Sequence, residues 1–331
     1  MKKFIALLTA MCLVVFCFTA CSSKSKADNQ DSGKLSVIAT IFPAYDWVKQ
    51  ITAGSDNIDL TLLFDNSADL HNYQPTADDI VKITDCDMFI YVGGESDEWV
   101  ENVLKQSANE NMIAVNLLDA IGENAKTEEH KEGMEEEHPE DGEEHPEDGE
   151  EHEEYDEHVW LSIKNTQSLC IYISEKLSSL DNENADLFSD NTDSYISSLK
   201  ALDEKYQSAV EGADNKTLVF ADRFPFRYLT DDYGIDYYAA FAGCSAESEA
   251  SFETISFLAK KVDELNLKYV MTIEGANHNI AQTVINNTTE KNQQILVLDS
   301  MQSKTFEDIE KGETYLSIME KNLTVLQQAL A

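Results

Sequence analysis

The chain is short of positive charge. Its 331 residues carry 24 lysines and arginines against 63 aspartates and glutamates, a formal net charge of -39 at pH 7. That balance excludes non-specific nucleic-acid binding, which depends on neutralising phosphates, and suits a protein that attracts cations. Catalytic signatures are missing as well. No G-x-S-x-G, P-loop or H-E-x-x-H occurs, and no Ser-His-Asp or Cys-His pairing is legible. Cysteine is scarce: Cys12 and Cys17 lie in the N-terminal apolar run and Cys21 just after it, which leaves Cys86, Cys170 and Cys244. Three widely spaced cysteines build neither a disulfide framework nor a zinc ribbon. At most one bridge could form, and core packing is the expected role of each.

Long apolar runs are absent except for "FIALLTAMCLVVFCF" behind the basic "MKK". It is too short for a comfortable membrane span and reads as the apolar part of a signal peptide. It ends in "FTAC", which resembles a bacterial lipobox, with Phe18 where leucine is usual. The expectation is a signal peptide over 1–20, lipidation of Cys21, and a polar tether over 21–33.

What is present is alternation. "KLSVIATI", "IDLTLLFD", "DMFIYVGG" and "MIAVNLL" read as strands, separated by helical stretches, one of which starts after Thr76 as N-cap. After a long acidic run, "TLVFAD", "YYAAFAG", "YVMTIEG" and "ILVLDSM" repeat the pattern. Strands separated by helices imply parallel sheets with covered faces, and a mature chain of roughly 300 residues exceeds what one core usually organises. Between the two sets, Leu187, Tyr195, Leu199, Leu202 and Tyr206 recur at helical spacing, with no glycine or proline until Gly212. The fold class expected is α/β: two lobes, each with a parallel β-sheet covered by helices, joined by one long helix. The boundaries are 34–180 for the first lobe, including an acidic histidine-rich loop at 123–157, then 184–212 for the helix and 216–331 for the second lobe.

That loop contains "EEHPEDGEEHPEDGEEHEEYDEHVW", in which His138, His145 and His152 recur every seven residues. Proline and glycine break the repeat and almost nothing in it is apolar, so it cannot form a core. Imidazoles among carboxylates suit weak zinc collection. His158 differs, because the apolar "VWL" behind it anchors it to a folded segment.

Ligands of open α/β sheets bind beyond the carboxyl ends of the strands. The polar residues expected there are His71, His158, Arg223, Glu274, His278 and Asp299. Singly each has a bland reading: a solvated loop histidine, a helix cap, a turn acid.

Three motifs change that balance. "LHNYQPTADDI", "DEHVWLSIKNT", and "VLDS" followed by "YLSIMEKNLTVLQQAL" resemble the ordered motifs of zinc and manganese substrate-binding lipoproteins of ABC transporters, and an acidic histidine-rich insertion before the second is typical of the zinc-specific members. The resemblance implies a rigid linking helix and a metal site between the lobes, with His71 and His158 as ligands and Asp299 as the fourth-ligand carboxylate. Where the family carries its third ligand, this chain has Arg223, whose guanidinium has no lone pair to donate. His278 is the expected substitute, with Glu274 as an alternative. The resemblance also implies Zn²⁺, or alternatively Mn²⁺, as the bound ion. The implied partners are an ABC permease with its ATPase, and the membrane through the lipid anchor, with no nucleic acid. It implies a monomer that is no enzyme. The alternatives are a manganese-binding homologue, an adhesin-like surface lipoprotein, and a metallohydrolase using the same residues, which would need an open coordination position and a placed base.

Overall fold

Eight short strands form two separate sheets in the computed structural model, which describes residues 33–64, 70–135, 154–245, 249–275 and 277–331. The signal peptide, Cys21, the tether before residue 33 and the repeat histidines His138, His145 and His152 lie outside the described residues. The first sheet contains β1 (Leu35–Ala39), β2 (Ile58–Leu62), β3 (Met88–Tyr91) and β4 (Ile113–Asn116) in the order β2-β1-β3-β4. The second contains β5 (Thr217–Arg223), β6 (Asp236–Phe241), β7 (Tyr269–Ile273) and β8 (Gln294–Leu298) in the order β6-β5-β7-β8. Every pairing is parallel. Parallel pairing demands a crossover between successive strands, and helices supply it.

In chain order the helices are α1 (Phe42–Ile51), α2 (Ala77–Asp85), α3 (Glu98–Leu104), α4 (Leu117–Ile121), α5 (Ile163–Leu180), α6 (Ala185–Glu211), α7 (Arg227–Tyr233), α8 (Phe252–Glu264), α9 (Asn279–Asn287), α10 (Phe306–Glu310) and α11 (Tyr315–Ala329). Thr76 caps α2 reciprocally: its Oγ1 accepts from Asp79 N while Asp79 accepts from Thr76 N. The linking element is α6, 27 residues and so about 40 Å long. Phe188, Thr192, Tyr195, Leu199, Leu202, Tyr206 and Val210 form its buried stripe. That stripe packs on α1 and α5 towards one sheet and on α7 and α11 towards the other. Tyr206 donates from its hydroxyl to the Met319 carbonyl at 2.7 Å. A single apolar core runs from Val37 to Leu330 through both lobes, and a smaller one lies under α8 and α9.

Trp160 fastens the lobes together. It is 1% exposed, its Nε1 donates to the Ser300 carbonyl at 2.8 Å, and its own carbonyl accepts from Tyr315 Oη at 2.8 Å. Tyr315 in turn donates its backbone N–H to Asp46 on α1 at 2.9 Å.

The acidic loop, expected as a solvated excursion over 123–157, has structured ends. Thr127 and Tyr155 form an antiparallel bridge, Glu128 N donates to Glu154 O, and Asp156 N donates to Lys126 O, both at 2.8 Å. The outgoing arm then lies on β6. Lys131 pairs with Asp236 at 2.6 Å and covers the Tyr237 ring, and Glu135 N donates to Ala240 O at 2.9 Å. Among the described residues no helix is long and apolar enough to cross a membrane.

Candidate metal centre

The carboxyl ends of the strands in both sheets converge on two histidines. His71 sits in a short 3-10 turn, Leu70–Asn72, in the connection after β2, and Leu70 anchors the turn at 1% exposure. His158 precedes the turn Val159–Leu161, whose three apolar side chains are buried. Their Nε2 atoms stand 3.3 Å apart. In a tetrahedral zinc site with Zn–N bonds of about 2.0–2.1 Å, two nitrogens are separated by about 3.3–3.4 Å. The observed spacing therefore fits two corners of one coordination shell.

Both imidazoles are oriented from behind. Asp156 Oδ1 lies 3.1 Å from His158 Nδ1 and also accepts the His158 backbone N–H at 2.9 Å. A carboxylate oxygen only accepts, so Nδ1 carries the proton and Nε2 presents its lone pair. His71 Nδ1 faces Ser96 Oγ at 2.8 Å and Glu157 Oε2 at 3.4 Å. Glu157 is 2% exposed and its Oε1 accepts from Ser96 N at 2.8 Å. Burial pushes its carboxyl up, but hydrogen bonds from His71 and Ser96 outweigh that, and the net direction is down. Gly94 makes this packing possible. It has φ +80°, and a Cβ there would collide with the Glu157 carboxylate.

Two residues passed over in the sequence complete the cluster. Among the described residues, one group of three metal-capable side chains has all its ligand atoms within 4.8 Å of one another: His71, His158 and Cys244. Cys244 was expected in the core, like Cys86 and Cys170, which are buried; all three thiols are free. Its backbone N–H donates to Glu128 Oε1 at 2.9 Å. Burial, with the charges of Glu128, Asp156 and Glu157, holds its thiol far above the usual range. Gln302, in the turn after β8, places Nε2 at 2.6 Å from His158 Nε2 and 3.3 Å from His71 Nε2. A half-turn of that amide would present Oε1 instead.

The other expected ligands are not among those three residues. Asp299 pairs with Lys304 Nζ at 2.6 Å and accepts from Met301 N at 2.9 Å, so it holds the turn that delivers Gln302. His278 occupies a left-handed position with φ 56° at the start of α9, its Nδ1 3.0 Å from Thr272 Oγ1. Glu274 accepts from Ser300 N, Ser300 Oγ and Gln302 N within the same turn. Burial and the neighbouring Asp299 push its carboxyl up. Arg223 closes β5. The available signals for the missed pair were positional: both follow a strand's carboxyl end, and glycine precedes Cys244.

A cavity of about 230 Å³ opens beside the histidines, lined by His71, Cys244 and four glutamates, Glu95, Glu128, Glu154 and Glu157. Glu128 and Glu154 are the hydrogen-bonded ends of the acidic loop, so its stem forms one wall.

Comparisons with known proteins agree with this architecture. A sequence profile of the family described as zinc-uptake complex component A, periplasmic, matches residues 37–329. The zinc-binding lipoprotein AdcA of Streptococcus pneumoniae serotype 4 is 32% identical over 332 residues, 99% of this chain and 61% of that protein. The chain thus spans about three fifths of that relative's length. The high-affinity zinc uptake system protein ZnuA of Bacillus subtilis is 32% identical over 323 residues, covering 96% of both. The crystal structure of the Zn(II)-bound ZnuA-like domain of Streptococcus pneumoniae AdcA superposes with a TM-score of 0.69 at 28% identity, over 90% of this chain and 99% of that one.

Proposed function

Because the chain belongs to the family of zinc-uptake complex component A, we propose that it captures zinc outside the cell membrane and hands it to an ABC permease driven by its ATPase. Zinc is the cargo, and His71 and His158 are its principal ligands. The observation that carries this reading is the 3.3 Å approach of two Nε2 atoms whose Nδ1 ends face Asp156, and Ser96 with Glu157. Two Nε2 atoms held at that distance, with their Nδ1 ends engaged behind them, are placed to share one cation. Imidazole donors suit zinc better than manganese, which prefers oxygen.

The four glutamates of the adjoining cavity raise the local cation concentration at the entrance. The chain between them, with His138, His145 and His152, serves as a lower-affinity collector that offers imidazoles among carboxylates. Lipidation of Cys21 keeps the protein beside its permease.

Titration calorimetry with zinc on the purified chain tests the reading. One tight event should be present in the parent and lost in His71→Ala and in His158→Ala. A His71→Ala protein that binds zinc as tightly as the parent would sink it.

A further inference from the structure

We infer that Cys244 is a third protein ligand of the cargo zinc, bound as thiolate, in the role that Arg223 cannot fill. The inference rests on the proposed zinc site and extends its ligand set.

Proximity is the first support: the sulfur and both imidazoles fall within 4.8 Å of one another. A tetrahedral site with Zn–S of about 2.3 Å and Zn–N of about 2.0–2.1 Å needs an S···N separation of about 3.6 Å. That lies within the movement a side-chain rotation supplies. The second support is how the residue is delivered. Gly243 packs without a Cβ against the Phe224 carbonyl and the His158 ring. A Cβ there would come within 2.9 Å of the first and 3.2 Å of the second. The backbone entering Cys244 therefore lies directly on a ligand histidine. The Glu128 carboxylate holds the Cys244 N–H. The third support is the convergence itself. With Nδ1 of His158 facing Asp156 and Nδ1 of His71 facing Ser96 and Glu157, the Nε2 atoms are left for a metal in the cluster that includes the sulfur.

The competing donors are engaged elsewhere: Asp299 with Lys304, Glu274 with Ser300 and Gln302 N, and His278 with Thr272. A cysteine also gives the site a chemical preference that two histidines and a carboxylate would lack. Thiolate is a soft donor that favours zinc and disfavours manganese, and a metal-bound thiol gives up its proton outright.

Cobalt is the probe. The full-length chain loaded with Co(II) should show a sulfur-to-cobalt charge-transfer band in the near ultraviolet besides its visible d–d bands. C244S should lose the first and keep the second. Its zinc affinity should fall by more than the roughly 10–100-fold typical of losing a hydrogen-bond partner of a metal ligand. Zinc should also protect Cys244 from alkylation in the unaltered protein, a measurement independent of how C244S folds. Intense d–d bands without charge transfer, or alkylation of Cys244 at an equal rate with and without zinc, would overturn the assignment while leaving the histidine site standing. Cobalt binding unchanged in His71→Ala and His158→Ala would instead overturn the site as a whole.

Discussion

One oxygen of Asp156 meets His158 twice, at 3.1 Å from the ring Nδ1 and at 2.9 Å from the backbone N–H. Ring orientation and proton position are thereby fixed together. Asp156→Ala should lower zinc affinity by roughly 10–100-fold, the usual consequence of losing such a partner. Asp156→Asn should recover part of it, because the amide oxygen still accepts. Competition with a chromogenic chelator measures both. Equal affinity in Asp156→Ala and the parent would refute the orienting role.

Gly243→Ala probes the close approach beside His158. The added methyl would stand 2.9 Å from the Phe224 carbonyl, a rigid backbone atom, and 3.2 Å from His158 Cε1. The expected outcome is a folded protein with weakened zinc binding, since the His158 ring is the softer neighbour. Circular dichroism with calorimetry separates the two effects; unaltered affinity would mean that the turn yields instead.

Trp160→Ala should destabilise the fold by about 3–5 kcal/mol, the range for losing a large buried aromatic. It also removes the donor to the buried Ser300. Trp160→Phe should cost less and isolate the hydrogen bond. Chemical denaturation of the metal-free protein provides the comparison, and a loss below about 1 kcal/mol for the alanine variant would contradict the clamp.

Asp97 gives the fold a pH dependence of its own. Burial, reinforced by the charge of Glu157, pushes its carboxyl up to about 7 against the Val92 and Gly93 N–H groups that favour ionisation. An unfolded aspartate titrates near about 3.9. Between those values the native state holds a proton that the unfolded state has released. The contribution is therefore full below about pH 4 and lost as pH rises through about 7. Asp97→Asn should flatten the fall in stability across that window and gain relative to the parent at pH 8. Denaturant midpoints at pH 5 and 8 decide it; parallel pH profiles would place the proton elsewhere.

Deleting residues 137–152 should leave the tight zinc event intact and remove only weaker ones. A cut that extended to Glu128 would remove the acceptor for Cys244 N and damage the centre itself. Loss of the tight event in the shorter deletion would show that the repeat supplies a ligand.

Much of this architecture was legible. Alternating apolar runs and helical spacing are local signals, and they located all eight strands and α6. His158 was legible for the same reason, since "VWL" marks a buried anchor at once. Cys244 and Gln302 were not, because their only signals were positional, a place after a strand end and, for Cys244, a preceding glycine, which many residues share. Each acquires meaning only when loops from the second sheet meet His71 and His158, contacts between residues far apart in the chain. Asp299 looked the better donor by residue type, and the structure gives its carboxylate to Lys304 and the turn instead. His278 sits at a left-handed backbone position with its Nδ1 on Thr272 Oγ1, a local arrangement that its sequence neighbourhood does not announce.

Adding four to each strand number converts the order of the first sheet into that of the second. Under that shift the connection after β2, which carries His71, corresponds to the one after β6, which carries Cys244. Likewise the connection after β4, with His158, corresponds to the one after β8, with Gln302. The cluster is thus one arrangement repeated, and each half of the chain brings two side chains to it. Zinc sites draw on three or four protein donors, so neither half holds the ion firmly alone. On the proposed ligand set, retention of zinc is a property of the assembled halves, and a small opening between them would strip the ion of the donors on one side.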